Sequence, residues 1–377
     1  WDVDGNEYVD FVNSLAAVTL GYCDKDVDEA VQEQMKSGVT FSLPHKLEME
    51  VAEKLIEIIP CAEKVRFAKN GTDATSAAVR IARAYTGKEH IAVCGYHGWQ
   101  DWYIGSTTRD LGVPQSVKEL THKFEYNNIE SLEKIFQEQK LACVIMEPMN
   151  IEYPKDDFLK GVKELAHKNN ALFILDETIT GFRYSLGGAQ ELFGVTPDLA
   201  TFGKGMTNGY PLSAVVGSNE VMQKVEDIFF SGTFGGETLS LAAVSAVIKK
   251  YESQNVPKYL EEIGTYLLKQ LNQLINSENL GDIFWTSGHP TWIFLHIKEQ
   301  KEYFSFEIQT FFLQEMFKRG ILTLGSHNLS FSHTKEDIDR LLKVYAEVLP
   351  MIKHHISNKD LLENIQGEIL KPLFKVR

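Results

Sequence analysis

Two short apolar runs, each ending in a polar group, constrain this chain more than any other feature. The first runs from Ala171 to Leu175 and ends in Asp176 and Glu177. The second runs from Leu199 to Phe202 and ends in Gly203-Lys204-Gly205. Short apolar runs bounded by charge or glycine read as buried strands. A strand buried on both faces needs helices over it, so the runs predict an α/β fold with a mostly parallel sheet. In such sheets ligands sit beyond the carboxyl ends of the strands. Asp176 and Lys204 both fall at such ends, and the glycines beside Lys204 permit close approach of a ligand.

The pattern extends upstream. Lys64 to Ala68, Glu89 to Gly95 and Leu141 to Met146 read as strands. Helical spacing occupies 69–87, 129–139 and 158–169 between them. Polar residues gather where the strands stop. Asn70-Gly71-Thr72 lies at a strand-to-helix turn, with free N–H groups and a hydroxyl that suit a phosphate. The same residues also read as a plain helix cap. Tyr96, in Tyr96-His97-Gly98, suits stacking on a flat heterocycle or packing in the core. Glu147-Pro148 ends another strand. Residues 99–125 show no clear period and read as a long loop or lid.

The flanks differ in character. Asp4-Gly5-Asn6, between Trp1 and Tyr8, is a hairpin turn signal. Residues 25–37 form a helix with Val27, Ala30, Val31 and Met35 on one face, and Leu47 to Ile59 form a second. A glycine-rich turn, Ser231 to Gly236, precedes an apolar helix over 239–250. Beyond it lie amphipathic helices at 258–276, 307–319 and 335–353, with strands near 292–297 and 321–324. The expected organisation is a small α+β domain built from residues 1–45 and 256–377, around a large domain at 46–255.

The formal net charge of -14 argues against a general nucleic-acid surface and against attraction to anionic lipid. An anionic cofactor would then need local donors such as a helix N-terminus. Hydrophobic residues at 44% and charged residues at 24% are an ordinary soluble globular balance. Four cysteines, Cys23, Cys61, Cys94 and Cys143, suit a reducing cytoplasm, and none shows metal-knuckle spacing. Cys94 and Cys143 lie in apolar runs and read as inert. No apolar run reaches membrane-spanning length. His354-His355 reads as solvated, and His327 faces the site or nothing; neither supports a metal site. The chain starts at Trp1 rather than Met, so residues that precede it are expected.

A strand-end acid and a strand-end lysine, 28 positions apart, are the pair that pyridoxal phosphate chemistry needs. The lysine holds the aldehyde as a Schiff base, and the acid keeps the pyridine nitrogen protonated. Taken alone, Asp176 also reads as a loop cap and Lys204 as a solvated turn residue. The motifs in order decide between these readings. NGTDAT at 70–75, YHG at 96–98, EP at 147–148, LDETITGFR at 175–183, FGKG at 202–205 and SGTFGGE at 231–237 resemble the class III aminotransferases of fold type I. Within them the chain looks most like the glutamate-1-semialdehyde aminomutase subgroup. The resemblance runs from DVDGNEYVDF at 2–11 to PLFKVR at 372–377.

The resemblance implies pyridoxal 5'-phosphate on Lys204, which also shuttles a proton, with Asp176 as partner of the ring nitrogen. It implies Gly71 and Thr72 on the phosphate, Tyr96 and Thr178 on opposite faces of the ring, and Glu147 close to it. His97 is either a supporting residue or core. Thr233 matches a phosphate contact donated by the neighbouring subunit, which implies a homodimer with shared sites.

The departures fall on the substrate side. The subgroup has a tryptophan where this chain has Leu15, and a Gly- and Ala-rich lid where this chain has Trp99-Gln100-Asp101-Trp102. The expected function is transfer of an amino group between a small-molecule donor and a carbonyl acceptor. The alternatives are the aminomutase itself, or a decarboxylase or epimerase on the same scaffold. A non-catalytic binding module is disfavoured because Lys204 and Asp176 are both present. A dinucleotide-binding oxidoreductase would show a G-x-G-x-x-G turn opening a helix, and none is present near the start.

Overall fold

In the computed structural model, residues 1–371 are described; residues 372–377, where the resemblance ends, lie outside them. The chain divides into two units. Among the described residues, one is Tyr22–Pro257, and the other joins Trp1–Gly21 to residues 258–371. The first boundary therefore falls at Gly21 rather than after residue 45. The reason is the helix Lys25–Met35, which packs on the helix Thr238–Gln254. Lys250 Nζ binds it there through Asp24 at 2.6 Å and Asp26 at 2.8 Å. Val27 and Val31 are buried on that helix, and Met35, at its C-terminal end, is exposed.

The unit Tyr22–Pro257 is built on seven strands: β1 Lys64–Ala68, β2 His90–Cys94, β3 Thr121–Lys123, β4 Leu141–Met146, β5 Leu172–Asp176, β6 Leu199–Phe202 and β7 Ser213–Gly217. Their order across the sheet is β1-β7-β6-β5-β4-β2-β3. β7 runs antiparallel to both neighbours, and the remaining pairs are parallel.

Alternation along β4 and β5 feeds two cores, as a two-residue period requires. Cys143, Ile145, Leu172 and Ile174 face Ala77, Ala78 and Ile81 of the helix Gly71–Thr86. Val144, Met146, Phe173 and Leu175 face Leu159, Val162 and Ala166 of the helix Phe158–Lys168. Cys143 is fully buried, and burial pushes its thiol up to about 12, so it is an inert core residue. Burial pushes Cys94 up likewise.

The segment 99–125 is not a loop. It contains the short helices Asp101–Ile104 and Gln115–Lys118 and the edge strand β3. Tyr103 is fully buried and donates to Gly95 O at 2.8 Å. Trp102 donates to Ser76 Oγ at 2.9 Å. Two aromatic anchors inside a polar run are enough to pin it, and polarity alone had concealed them.

The other unit holds a three-stranded antiparallel sheet in the order Ser326–Asn328, Trp292–Ile297, Phe284–His289. It also holds the helices Val256–Ser277, Ser305–Lys318 and Lys335–Asn358. The expected N-terminal hairpin does not form. The Asp2 carboxylate accepts from Asp4 N, Asn6 N and Tyr8 OH at 2.9–3.0 Å, making a local turn. Val9–Asp10 then pairs in parallel with Ile321–Leu322.

His327 is fully buried in this unit, between Ile293 O and the Tyr345 hydroxyl. His355 is held by Asp360 at 2.8 Å rather than left to solvent. Asn13 to Ala16 are all left-handed, with φ of 48°, 50°, 55° and 68°. Such residues cost about 1 kcal/mol or more each. Asp10 Oδ1 holds the turn through Val12 N and Asn13 N, and Leu15 at its crest is 63% exposed.

Candidate active site

Four neighbouring parallel strands end on one edge of the sheet and supply the polar residues. β2 leads to Tyr96 and His97, β4 to Glu147, β5 ends in Asp176, and β6 leads to Lys204. β1 runs the same way and opens into the helix Gly71–Thr86, whose N-terminus lies on that edge. Close backbone packing draws the helix in. A Cβ on Gly71 would stand 2.9 Å from Thr178 Cγ2, and one on Gly98, where φ is +103°, would stand 2.4 Å from Thr72 Oγ1. Only glycine fits both the space and the backbone at 98.

Asp176 is buried and carries four hydrogen bonds. Oδ1 accepts from Thr178 N at 3.1 Å, Thr178 Oγ1 at 2.6 Å and Thr201 Oγ1 at 3.0 Å. Oδ2 faces His97 Nδ1 at 2.8 Å. Burial pushes this carboxyl up, but the bonds from His97 and Thr178 outweigh it and hold it below the usual range. With Oδ1 filled, the remaining acceptor site is on Oδ2.

Glu147 is also buried. Its Oε2 accepts from Tyr96 N at 3.0 Å and Asn150 Nδ2 at 3.1 Å. Burial raises this carboxyl above its ordinary value, and the Asp176 charge adds to the effect. Lys204 has φ of 44° in a short 3-10 turn, Lys204–Thr207. Burial lowers its ammonium, against the pull of the Asp176 and Glu147 charges. A lysine so depressed holds more of its neutral, nucleophilic form.

Thr72 Oγ1 is buried and has no hydrogen-bond partner. A buried orphan hydroxyl among the free N–H groups at the start of a 16-residue helix fits a phosphate. Together with an ionised carboxylate that has room for one more donor, and a depressed lysine, these residues fit pyridoxal phosphate.

Thr178 stands beside Asp176 and donates its hydroxyl to it. Thr233 is exposed and is not gathered with the others; it lines a cleft of about 710 Å³ with Phe41, Leu43, Arg66, Arg80 and Phe234. Thr201 was missed, although it had a signal, a lone hydroxyl in the apolar run Leu199–Phe202. Trp102 was read as part of a lid, and its bond to Ser76, 26 positions away, left no signal.

The parallel sheet, the strand-end lysine and acid, and the helix N-terminus define a fold type I pyridoxal-phosphate enzyme. The family described as aminotransferase class-III matches residues 1–342, and the chain belongs to it. It is 35% identical to the 3-aminobutyryl-CoA aminotransferase of Cloacimonas acidaminovorans (strain Evry), over 93% of this chain and 87% of the other. It is 39% identical to the glutamate-1-semialdehyde 2,1-aminomutase of Francisella tularensis subsp. tularensis (strain SCHU S4 / Schu 4), over 73% of this chain and 68% of the other. Among solved structures, the PLP form of the FumI protein of Sphingopyxis sp. MTA144 superimposes with a TM-score of 0.88 at 25% identity, covering 97% of this chain and 88% of that one.

Proposed function

We propose that this chain moves an amino group from a small-molecule donor to a separate carbonyl acceptor, with Lys204 and Asp176 as its catalytic residues. The observation that supports this best is the meeting of Asp176, Thr72 and Lys204 at one sheet edge. Bound pyridoxal phosphate supplies an aldehyde that carries the amino group and a ring that accepts electrons. The chain supplies the rest. Lys204 would hold the aldehyde through Nζ and would take up and return the proton at the substrate α-carbon. Asp176 would favour a proton on the ring nitrogen. Gly71, Thr72 and the helix N-terminus would hold the phosphate. Tyr96, Thr178 and Glu147 would hold the ring.

We further propose that the working unit is a homodimer in which Thr233 serves the partner's phosphate. Exposed Phe41, Leu43 and Phe234 around its cleft fit a partner surface. Four free cysteines suit the cytoplasm. No described helix is long and apolar enough to cross a membrane. A second reading, the aminomutase, is favoured by the Francisella relative.

Two measurements test the main reading. A screen of amino donors should find one that converts the bound aldehyde to the amine form. Lys204→Ala should lose turnover and the visible absorbance of bound cofactor that borohydride shifts, while keeping its fold. Full activity in that variant would remove the assignment.

A further inference from the structure

We propose that Lys69 and Glu237 are positioning residues for the cofactor phosphate: their ion pair ties the glycine-rich turn Ser231–Gly236 to the start of the helix Gly71–Thr86. This rests on that helix start holding a phosphate, as above.

The two residues stand at the joints. Lys69 follows β1 directly and precedes Asn70-Gly71-Thr72. Glu237 follows the turn directly and precedes the helix Thr238–Gln254. Lys69 Nζ donates to Glu237 Oε1 and to Pro211 O, both at 2.9 Å. The Glu237 carboxylate also accepts from Leu239 N at 2.9 Å and Ser240 N at 3.1 Å, so it caps its own helix. Burial pushes this carboxyl up, but the bonds from Ser240 and Lys69 outweigh it and hold it below the usual range. The side chains are largely buried, at 19% and 11% exposed. A buried pair costs desolvation and adds little net stability, so its worth lies in what it holds in register.

The other end of the turn is tied to the same two elements. Arg66 of β1 donates to Phe230 O at 3.1 Å, and Arg80 of the helix Gly71–Thr86 donates to Phe229 O at 3.2 Å. Those arginines are exposed and reach neutral carbonyls, whereas Lys69 reaches a charge. Between the ties the turn lies close on β1: a Cβ on Gly235 would stand 3.4 Å from Phe67 O. The segment after Lys204 joins the same network, since Pro211 O takes Lys69 and Ser213 Oγ donates to Asn70 O at 2.7 Å. Asn70 N in turn donates to Asp73 Oδ2 at 2.8 Å, which fixes the first turn of the helix. The free N–H groups at Gly71 and Thr72 are therefore aimed from both sides. Removing either member of the pair leaves the other charged, buried and short of a partner, so cradle and turn should loosen together. On the dimer reading Thr233 sits on this turn. The pair then joins a protomer's own phosphate cradle to the residue it lends its partner.

The test uses the full chain, stripped of cofactor and titrated with pyridoxal phosphate or with pyridoxal, which lacks the phosphate. Lys69→Met and Glu237→Gln should each weaken pyridoxal phosphate about tenfold and pyridoxal less than about threefold. The double variant should be no worse than the worse of the two singles, because neither charge is left alone. Lys69→Arg, which keeps the charge, should stay within about threefold of wild type and also serves if Lys69→Met does not fold. Without ligand, backbone hydrogen exchange should speed up at 70–73 and 231–236 together in both single variants. Equal weakening of the two ligands, or a lowered melting temperature with unchanged uptake, would make the pair packing alone and overturns the proposal. Faster exchange confined to one segment overturns it as well. So does tighter pyridoxal phosphate in Glu237→Gln, which would make the freed Lys69 a direct phosphate ligand. If the wild type takes up no pyridoxal phosphate, the functional reading fails, and hydrogen exchange still decides whether the pair ties the two segments.

Discussion

Asp176 stays ionised at a site where burial alone would neutralise it. Four donors maintain its charge, and three of them crowd one oxygen. That asymmetry leaves a single direction in which the carboxylate can act. Asp176→Asn keeps the shape but replaces one oxygen by a donor and removes the charge. It should still take up pyridoxal phosphate, yet proton removal from the substrate should slow by roughly a hundredfold or more, the range lost when a charge-stabilising group is removed. Single-turnover absorbance with a saturating amino donor measures this, and near-normal rates would mean that the ring nitrogen has another partner. The acid was legible in the sequence because it ended an apolar run. Its donors were only partly legible: Thr178 is adjacent, whereas Thr201 and His97 arrive from other strands.

At the scale of elements, β4, β6 and the core of β5 could be read from sequence almost to the residue, because each is a short, largely apolar run closed by charge, glycine or proline. The helix Gly71–Thr86 was legible from its small-residue face and from Gly87, which caps it at φ 67°. β3, Phe284–His289 and Ser326–Asn328 were not. Each carries polar or glycine residues and gains its register only from a neighbouring strand. His327 shows the same limit, since Tyr345 completes its burial from a distant helix.

His327 also carries a prediction. Burial pushes its imidazole from 6.5 to about 4. The unfolded chain therefore takes up the proton first. The stability from the neutral, buried form is complete above pH 6.5 and is lost as pH falls toward 4, by about 3 kcal/mol at most. Urea unfolding between pH 7.5 and 4.5 measures it. His327→Gln should be less stable at neutral pH but should lose less on acidification. Parallel curves for the two proteins would assign the acid sensitivity elsewhere.

At the scale of the whole molecule, two proposals can be tested: that copies share a site, and that the site favours transamination. If Thr233 serves the partner, a mixed dimer of Lys204→Ala and Thr233→Val subunits gathers both defects in one site and leaves the other intact. Activity should return on mixing, to about half of one wild-type site pair at most, and confirmed hybrids without recovery would put Thr233 in its own chain's site. The reaction is a harder choice, because relatives named aminotransferase and aminomutase are both similar to this chain. An aminomutase must retain its diamino intermediate until the second transfer, which needs closure over the site. Here the segment after Gly98 is pinned: Trp102 is bonded to Ser76, and Tyr103 is buried and bonded to Gly95. A pinned segment is a wall rather than a cover. A fixed wall favours two separate substrates over one retained intermediate. Turnover of glutamate-1-semialdehyde to 5-aminolevulinate should therefore be slower than transamination with at least one donor and acceptor pair, when both are run with the full-length protein. Semialdehyde turnover far above every pair would return the chain to the aminomutases, with the Trp102 wall doing the work of a lid by some other geometry.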